Sequence, residues 1–167
     1  MAKGYAVDQI AELLSKAGAN NYLVEIGGEV KVKGNNPKGD FWNIGINKPE
    51  IGSALNSVYK KTRLTDIAMA SSGNYRNYFK LDGKIYSHTL NPKTGYPERN
   101  NILSATVFAQ DCMAADAFAT ACMVMGLNDA QALIDNEKGV EAFFIYADEA
   151  GGIKELETDG ASSYIVK

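Results

Sequence analysis

The chain's one histidine, His88, stands in SHTLNPKTGYP (residues 87–97), where two of the four prolines and the Thr94-Gly95 pair crowd together. An imidazole titrates near neutral pH, so at a strand mouth beside a fixed polar turn it can take a proton from a hydroxyl. Read alone, such a residue is more often a hydrogen-bonded structural histidine than a catalyst. A second place is Ala114-Ala115-Asp116-Ala117-Phe118-Ala119-Thr120. Asp116 and Thr120 are four apart, so a helix stacks them on one face. A carboxylate and a hydroxyl there are donors of the kind magnesium takes beside water and substrate phosphates. In the structural reading, Asp116 favours a positive helix N-terminus and Thr120 bonds back to the carbonyl four residues earlier. Ser71-Ser72-Gly73-Asn74-Tyr75 follows a β-type run and either cradles phosphate oxygens with its amides or simply turns the chain. Gly27-Gly28 and Thr94-Gly95 carry the same two readings.

These residues need a frame. Val7, Ile10, Leu14 and Ala17 recur at helical spacing with Asp8, Gln9, Glu12 and Lys16 on the other face, and Gly18 stops the helix. No capping residue precedes it, and the chain reads as though begun in the middle of something larger. Short β-type runs follow at Tyr22–Ile26, Glu29–Lys33 and Trp42–Ile46, with Gly27-Gly28 as a tight hairpin and 34–40 as a loop. Further strands are expected over 57–62, 67–71, 75–81 and 84–87, with Asp82-Gly83 turning between the last two. A strand over 103–109 leads into an almost wholly apolar helix, 113–125, ended by Gly126. Asn128 is placed to cap another helix running to Asn136. Strands over 142–147, 154–157 and 162–166 close the chain. Strand runs with helices grouped beside them predict an α+β fold built on an antiparallel sheet.

At 167 residues the chain has the length of one domain. Hydrophobic residues at 46% and charged residues at 22% are globular proportions and argue against disorder. A net charge of −3 with scattered lysines and arginines argues against a nucleic-acid partner. The run Lys60-Lys61-Thr62-Arg63 is read as a solvated strand end. Cys112 and Cys122 sit in apolar sequence without Cys-x-x-Cys spacing, and are expected as buried thiols, neither disulfide nor zinc ligands. No run is long enough to span a bilayer, and no signal peptide is visible.

Four stretches resemble the ApbE-type FAD:protein FMN transferases, once described as thiamin-biosynthesis lipoproteins. They are AKGYAVD (2–8), LVEIGGEV (23–30), SSGNYRNYFKLDGKIYSHTLNPKTGYP (71–97) and AADAFATACMVMG (114–126). They occur in family order and cover nearly the whole chain. The resemblance implies an ApbE-like (T-fold-like) domain: a mainly antiparallel sheet with helices packed on it. It also implies magnesium-dependent transfer of FMN from FAD to a threonine or serine hydroxyl of an acceptor protein, releasing AMP. By position, Mg2+ would be held by the Ala2 carbonyl and the side chains of Asp116 and Thr120. Tyr5 and Leu90, the latter through its backbone, match positions that touch FAD. Gly27, Gly28, Ser72, Gly73, Thr94 and Gly95 would line the same cleft, and His88 would be the general base. A cell-envelope lipoprotein location outside the cytoplasm follows from the family, and a homo-oligomer is admitted.

The sequence also departs from the family pattern. Asn91 and Asn74 stand where aspartate is frequent, and Ala119 stands where some members add a carboxylate, a loss that weakens metal binding. The family's large N-terminal portion supplies further flavin contacts. The expectation is therefore a chain that keeps the metal and catalytic side of the cleft and has weak or no flavin affinity. Two alternatives stand beside the transferase: an FAD pyrophosphatase, in which water replaces the acceptor hydroxyl, and a flavin-binding or inert fragment without turnover.

Overall fold

A computed structural model describes residues 1–49, 57–73, 78–81, 84–87, 90–96 and 100–166, with the backbone alone described over 78–81 and 84–87. In chain order, α1 (Ala2–Lys16) precedes β1 (Tyr22–Ile26), β2 (Glu29–Lys33), β3 (Trp42–Asn47), β4 (Val58–Leu64), β5 (Ala68–Gly73), β6 (Tyr78–Leu81) and β7 (Lys84–Ser87). There follow β8 (Ile102–Ala109), α2 (Cys112–Met125), α3 (Leu127–Asp135), β9 (Glu141–Ala147), β10 (Ile153–Glu157) and a 3-10 turn at Ala161–Ser163.

Six strands form one antiparallel sheet in the order β1-β2-β5-β8-β9-β10, and β3-β4 and β6-β7 form two separate hairpins. The period of two along β8 and β9 decides what each sheet face meets. Ala105, Val107, Ala109, Ala142 and Phe144 join Ala115, Ala119, Cys122 and Met123 of α2 and Ala130 and Ile134 of α3. Phe108, Phe143 and Ile145 point the other way, toward Ile46 and Leu64 of the β3-β4 hairpin, with Trp42, Ile44 and Tyr164 closing the margin. The result is three layers: helices, sheet and hairpin. Phe108, Phe143 and Phe144 are wholly buried, and each such side chain contributes about 1.5–3 kcal/mol relative to exposure. The α+β antiparallel architecture is as the sequence pattern predicted.

Several local expectations change. The buried face of α1 is Gly4, Val7 and Ala11, while Ile10 and Leu13 are exposed. The helix is rotated from the predicted face because its first turns pack against α2 at Gly4. Asp8, expected in solvent, is drawn into that contact. Asn128 lies inside α3, whose N-cap is Gly126. Residues 162–166 form the 3-10 turn and a lone bridge from Ile165 to Thr62, not a strand. The Lys60–Arg63 run belongs to the interior of β4: Thr62 is buried, Lys60 pairs with Glu155 at 2.8 Å, and Arg63 lies over the Phe41 ring. Cys112 and Cys122 are free and buried, as expected.

Candidate functional site

Helix α2 starts where β8 leaves the sheet. Its local N-cap residue, Asp111, makes no side-chain cap bond. The orphan amides of its first turn are taken from across the fold: Cys112 N–H donates to Asp8 Oδ1 at 3.0 Å and Met113 N–H to Asp8 Oδ2 at 2.9 Å. Lys31 Nζ, 2.9 Å from the same carboxylate, balances its charge. An acceptor on unpaired first-turn amides, with favourable macrodipole, is what a helix start requires.

The reverse bond also exists. Asp116, on the second turn of α2, accepts from Gly4 N–H of α1 at 3.0 Å through Oδ2. The amine of Met1 lies 2.7 Å from the same oxygen. Asp116 is therefore 6% exposed yet partnered, so the helix-terminus reading holds, with the terminus belonging to α1 and not to α2. The second half of that reading also holds, because Thr120 Oγ1 donates to the Asp116 carbonyl at 3.0 Å. These bonds leave oxygen capacity. A hydroxyl that donates keeps its lone pairs, and Asp116 Oδ1 has no protein partner among the described residues.

The two helices approach this closely because position 4 is glycine. A Cβ on Gly4 would lie 2.4 Å from the Cys112 carbonyl oxygen. On the sheet side, Ser72 Oγ lies 3.3 Å from Thr120 Oγ1, so the end of β5 completes the cluster with Gly73 beside it. Thr120 is exposed and Ser72 partly so, and the cluster opens to solvent on that side. Buried Cys112 sits beneath. Burial pushes its thiol up to about 12, and the Asp8, Glu29 and Asp116 carboxylates add to the shift against Lys31.

Gly27 and Gly28, at φ +58° and +97°, form the two-residue turn joining β1 and β2. Both central residues lie in the left-handed region, as a type I′ hairpin requires. Lys3 ties this turn to α1: its Nζ lies 3.3 Å from the Gly27 carbonyl and 2.7 Å from Glu29 Oε1. Asp116 and Gly27 thus each touch the first turn of α1, through Gly4 and Lys3, while Thr120 and Ser72 join Asp116 from the α2 and β5 side. Tyr5 is exposed on the same helix.

Leu90, Thr94 and Gly95 lie on a turn of their own. Gly95 N–H donates to the Asn91 carbonyl at 2.8 Å, Asn91 N–H to the Tyr96 carbonyl at 2.9 Å, and Lys93 N–H to Asn91 Oδ1 at 2.8 Å. No hydrogen bond from Leu90, Thr94 or Gly95 to Asp116, Thr120 or Ser72 occurs among the described residues. His88 lies outside the described residues, as do Asn74 and the Asp82-Gly83 pair.

Three participants were not singled out from sequence: Asp8, Lys3 and Glu29. Each acts through a partner distant in the chain, and only Glu29 is marked in the structure by burial of its carboxylate.

A family model described as "ApbE family" matches residues 1–144. A curated relative from Vibrio cholerae named FAD:protein FMN transferase is 40% identical over 167 residues, covering 100% of this chain and 49% of the relative. A Haemophilus influenzae relative of the same name is 45% identical over 126 residues, 75% of this chain and 36% of the relative. The solved structure of the Vibrio cholerae flavin transferase ApbE superposes with a TM-score of 0.84 at 38% identity, over 98% of this chain and 50% of that one. The chain spans about half the length of the curated relatives it matches. With the family pattern running from residue 1 to 144 and the fold shared over nearly every residue, the chain belongs to the ApbE family.

Proposed function

We propose that this chain carries the metal-binding and catalytic side of an FAD:protein FMN transferase, which moves FMN from FAD to a threonine or serine hydroxyl of an acceptor protein and releases AMP. The observation that carries the reading is the Asp116–Thr120 face of α2, held against the first turn of α1 and open toward Ser72. The donors fit a hard cation: one carboxylate with a free oxygen, one hydroxyl and the Ala2 carbonyl, all oxygen. Ala2, Asp116 and Thr120 would hold Mg2+, which when bound neutralises a diphosphate and stabilises the charge that develops as the anhydride breaks.

The protein's own groups do the rest. Ser72 and Gly73, at the end of β5, and the Gly27-Gly28 turn border the space for phosphate oxygens. Tyr5, exposed on α1, and the Leu90 backbone are assigned to the flavin nucleotide. His88 takes the proton from the acceptor hydroxyl, and the Thr94-Gly95 turn follows it in the chain. A positioned base contributes roughly 10²–10⁴-fold, and alignment of the hydroxyl with phosphorus supplies much of the remainder. An extracytoplasmic, membrane-anchored setting belongs to the same proposal. Among the described residues no helix is long and apolar enough to cross a membrane.

The test is incubation with FAD, Mg2+ and a threonine-containing acceptor peptide, read by mass spectrometry and flavin chromatography. A flavinylated peptide supports transfer. Free FMN alone assigns a pyrophosphatase, and no turnover at all refutes catalysis by this chain. His88→Ala and Thr120→Val are each expected to abolish the product while leaving the fold intact.

A further inference from the structure

The six-stranded sheet ends at β1 on one side and at β10 on the other, and the two edges are built differently. β10 is exposed and carries Lys154, Glu155 and Glu157, charge of the kind that keeps a sheet edge from pairing. β1, YLVEI, carries the single charge of Glu25 and no proline. The Gly27-Gly28 turn closes its hairpin with β2, so Ile26 and Glu29 exchange backbone bonds. Val24 and Tyr22 repeat that pattern with Lys31 and Lys33. Leu23 and Glu25 therefore aim their amides and carbonyls away from β2, where no strand lies among the described residues.

The helix beside this edge has an unpartnered face as well. Asp8 and Ser15 meet Lys31 and Lys33 of β2 from one flank of α1. Ile10 and Leu13, two residues away from each, stand about half a turn round, on the flank past β1. They are 41% and 66% exposed. With Ala6 and Ala17 they form a small–large–large–small stripe, spaced four, three and four residues apart, that reads alike from either end. Tyr22, Val24 and Ile26 give β1 the same symmetry on its helix face. The midpoints of strand and stripe lie side by side, because Lys3 meets the Gly27 carbonyl at one end and Ser15 Oγ meets the Tyr22 hydroxyl at the other. An unrelated extended segment satisfies the edge alone, whereas a second copy satisfies edge and stripe about one axis. We propose that β1 pairs antiparallel with β1 of a second copy about a two-fold at Val24, with the two α1 stripes packed across it. Leu23 of each copy then exchanges backbone bonds with Glu25 of the other, and the two Glu25 side chains do not oppose each other. On the helices Ile10 meets Leu13 and Ala6 meets Ala17. The Asp116–Thr120 cluster, against α2 on the other flank, stays open.

The experiment is sedimentation equilibrium of the whole chain at about 100 µM, where a dimer with a Kd near about 10 µM is mostly assembled. Twice the monomer mass is expected. Glu25→Pro removes an outward amide that serves no bond within the chain, as an edge strand tolerates. It should weaken the dimer about tenfold or more and leave the melting temperature of the dilute chain nearly unchanged. Leu13→Glu, which buries a charge in the seam from an exposed position, should do the same. Cross-linking reads the register. Val24 faces its own copy in a non-hydrogen-bonded pair, about 4.5 Å between Cα atoms, so Val24→Cys should form an intermolecular disulfide under mild oxidation. Glu25→Cys faces Leu23 and should not. A wild-type chain that is monomeric at this concentration overturns the inference, as does a dimer that both Glu25→Pro and Leu13→Glu leave intact. A disulfide through Glu25→Cys with none through Val24→Cys overturns the pairing.

Discussion

Asp8 and Asp116 cap each other's helices. Asp8 on α1 takes the first two amides of α2 at 3.0 and 2.9 Å, and Asp116 on α2 takes the Gly4 amide of α1 at 3.0 Å. The pair locks two crossing helices into one register. It also makes the Asp116 carboxylate both a structural acceptor and the leading candidate for a cation ligand, and substitutions can separate those duties.

Asparagine at position 116 keeps an amide oxygen for Gly4 N–H and removes the charge. Asp116→Asn should retain nearly all thermal stability and lose magnesium affinity by about tenfold or more. Asp116→Ala loses both and should cost about 1–2 kcal/mol in urea denaturation. Equal magnesium affinity in the asparagine variant would remove Asp116 from the metal site.

Asp8 has no assigned role at the reacting atoms, so Asp8→Ala should act through stability. It strips two first-turn amides of their acceptor, one part-buried and one exposed, and leaves Lys31 facing Asp111 at 3.8 Å. The expected loss is about 1–3 kcal/mol by chemical denaturation. Turnover per folded molecule should be reduced far less than in Asp116→Asn.

Gly4→Ala tests the helix crossing. The new methyl meets a backbone oxygen, which cannot rotate away, so α1 and α2 must separate. A loss of about 1–3 kcal/mol is expected from overpacking, together with weakened magnesium binding at the proposed site as the Gly4 amide moves off Asp116.

Burial pushes both thiols up, Cys112 to about 12 and Cys122 to about 12, from an ordinary 9.0. Neither should react with a thiol-specific disulfide reagent at pH 8 until denaturant is added. The folded state keeps protons that the unfolded chain releases above pH 9. The thiols' contribution is therefore fully present below pH 9 and declines as pH rises toward 12, measurable as a falling melting temperature. Fast labelling of two thiols in native buffer would contradict the burial.

The sheet was legible because its signals are local. Short apolar runs at 103–109 and 142–147, and the paired glycines at 27–28, point to strands and a tight turn without tertiary help. The Asp116–Thr120 face was legible by spacing alone. Asp8 was not, since helical periodicity assigned it to the polar side, and only the crossing at Gly4 brings unpaired amides to it. Asn128 fits an N-cap by residue type, but Gly126 already begins α3 and leaves it inside the helix. Residues 162–166 alternate as a strand does, yet their backbone finds only one bridge, at Ile165, before the chain turns. The metal, the base and the flavin contacts came from family resemblance, because no spacing within one chain specifies them.

The reciprocal capping bonds link residues 104 to 112 positions apart. Contacts so distant in sequence form only after long segments between them have closed, which delays them in folding. During synthesis α1 therefore emerges with Asp8 and the Gly4 amide lacking these partners, and both wait until the ribosome has delivered the first two turns of α2. The crossing of the two helices must arrive abruptly and late, so a nascent or clipped chain ending before that point holds neither capping bond.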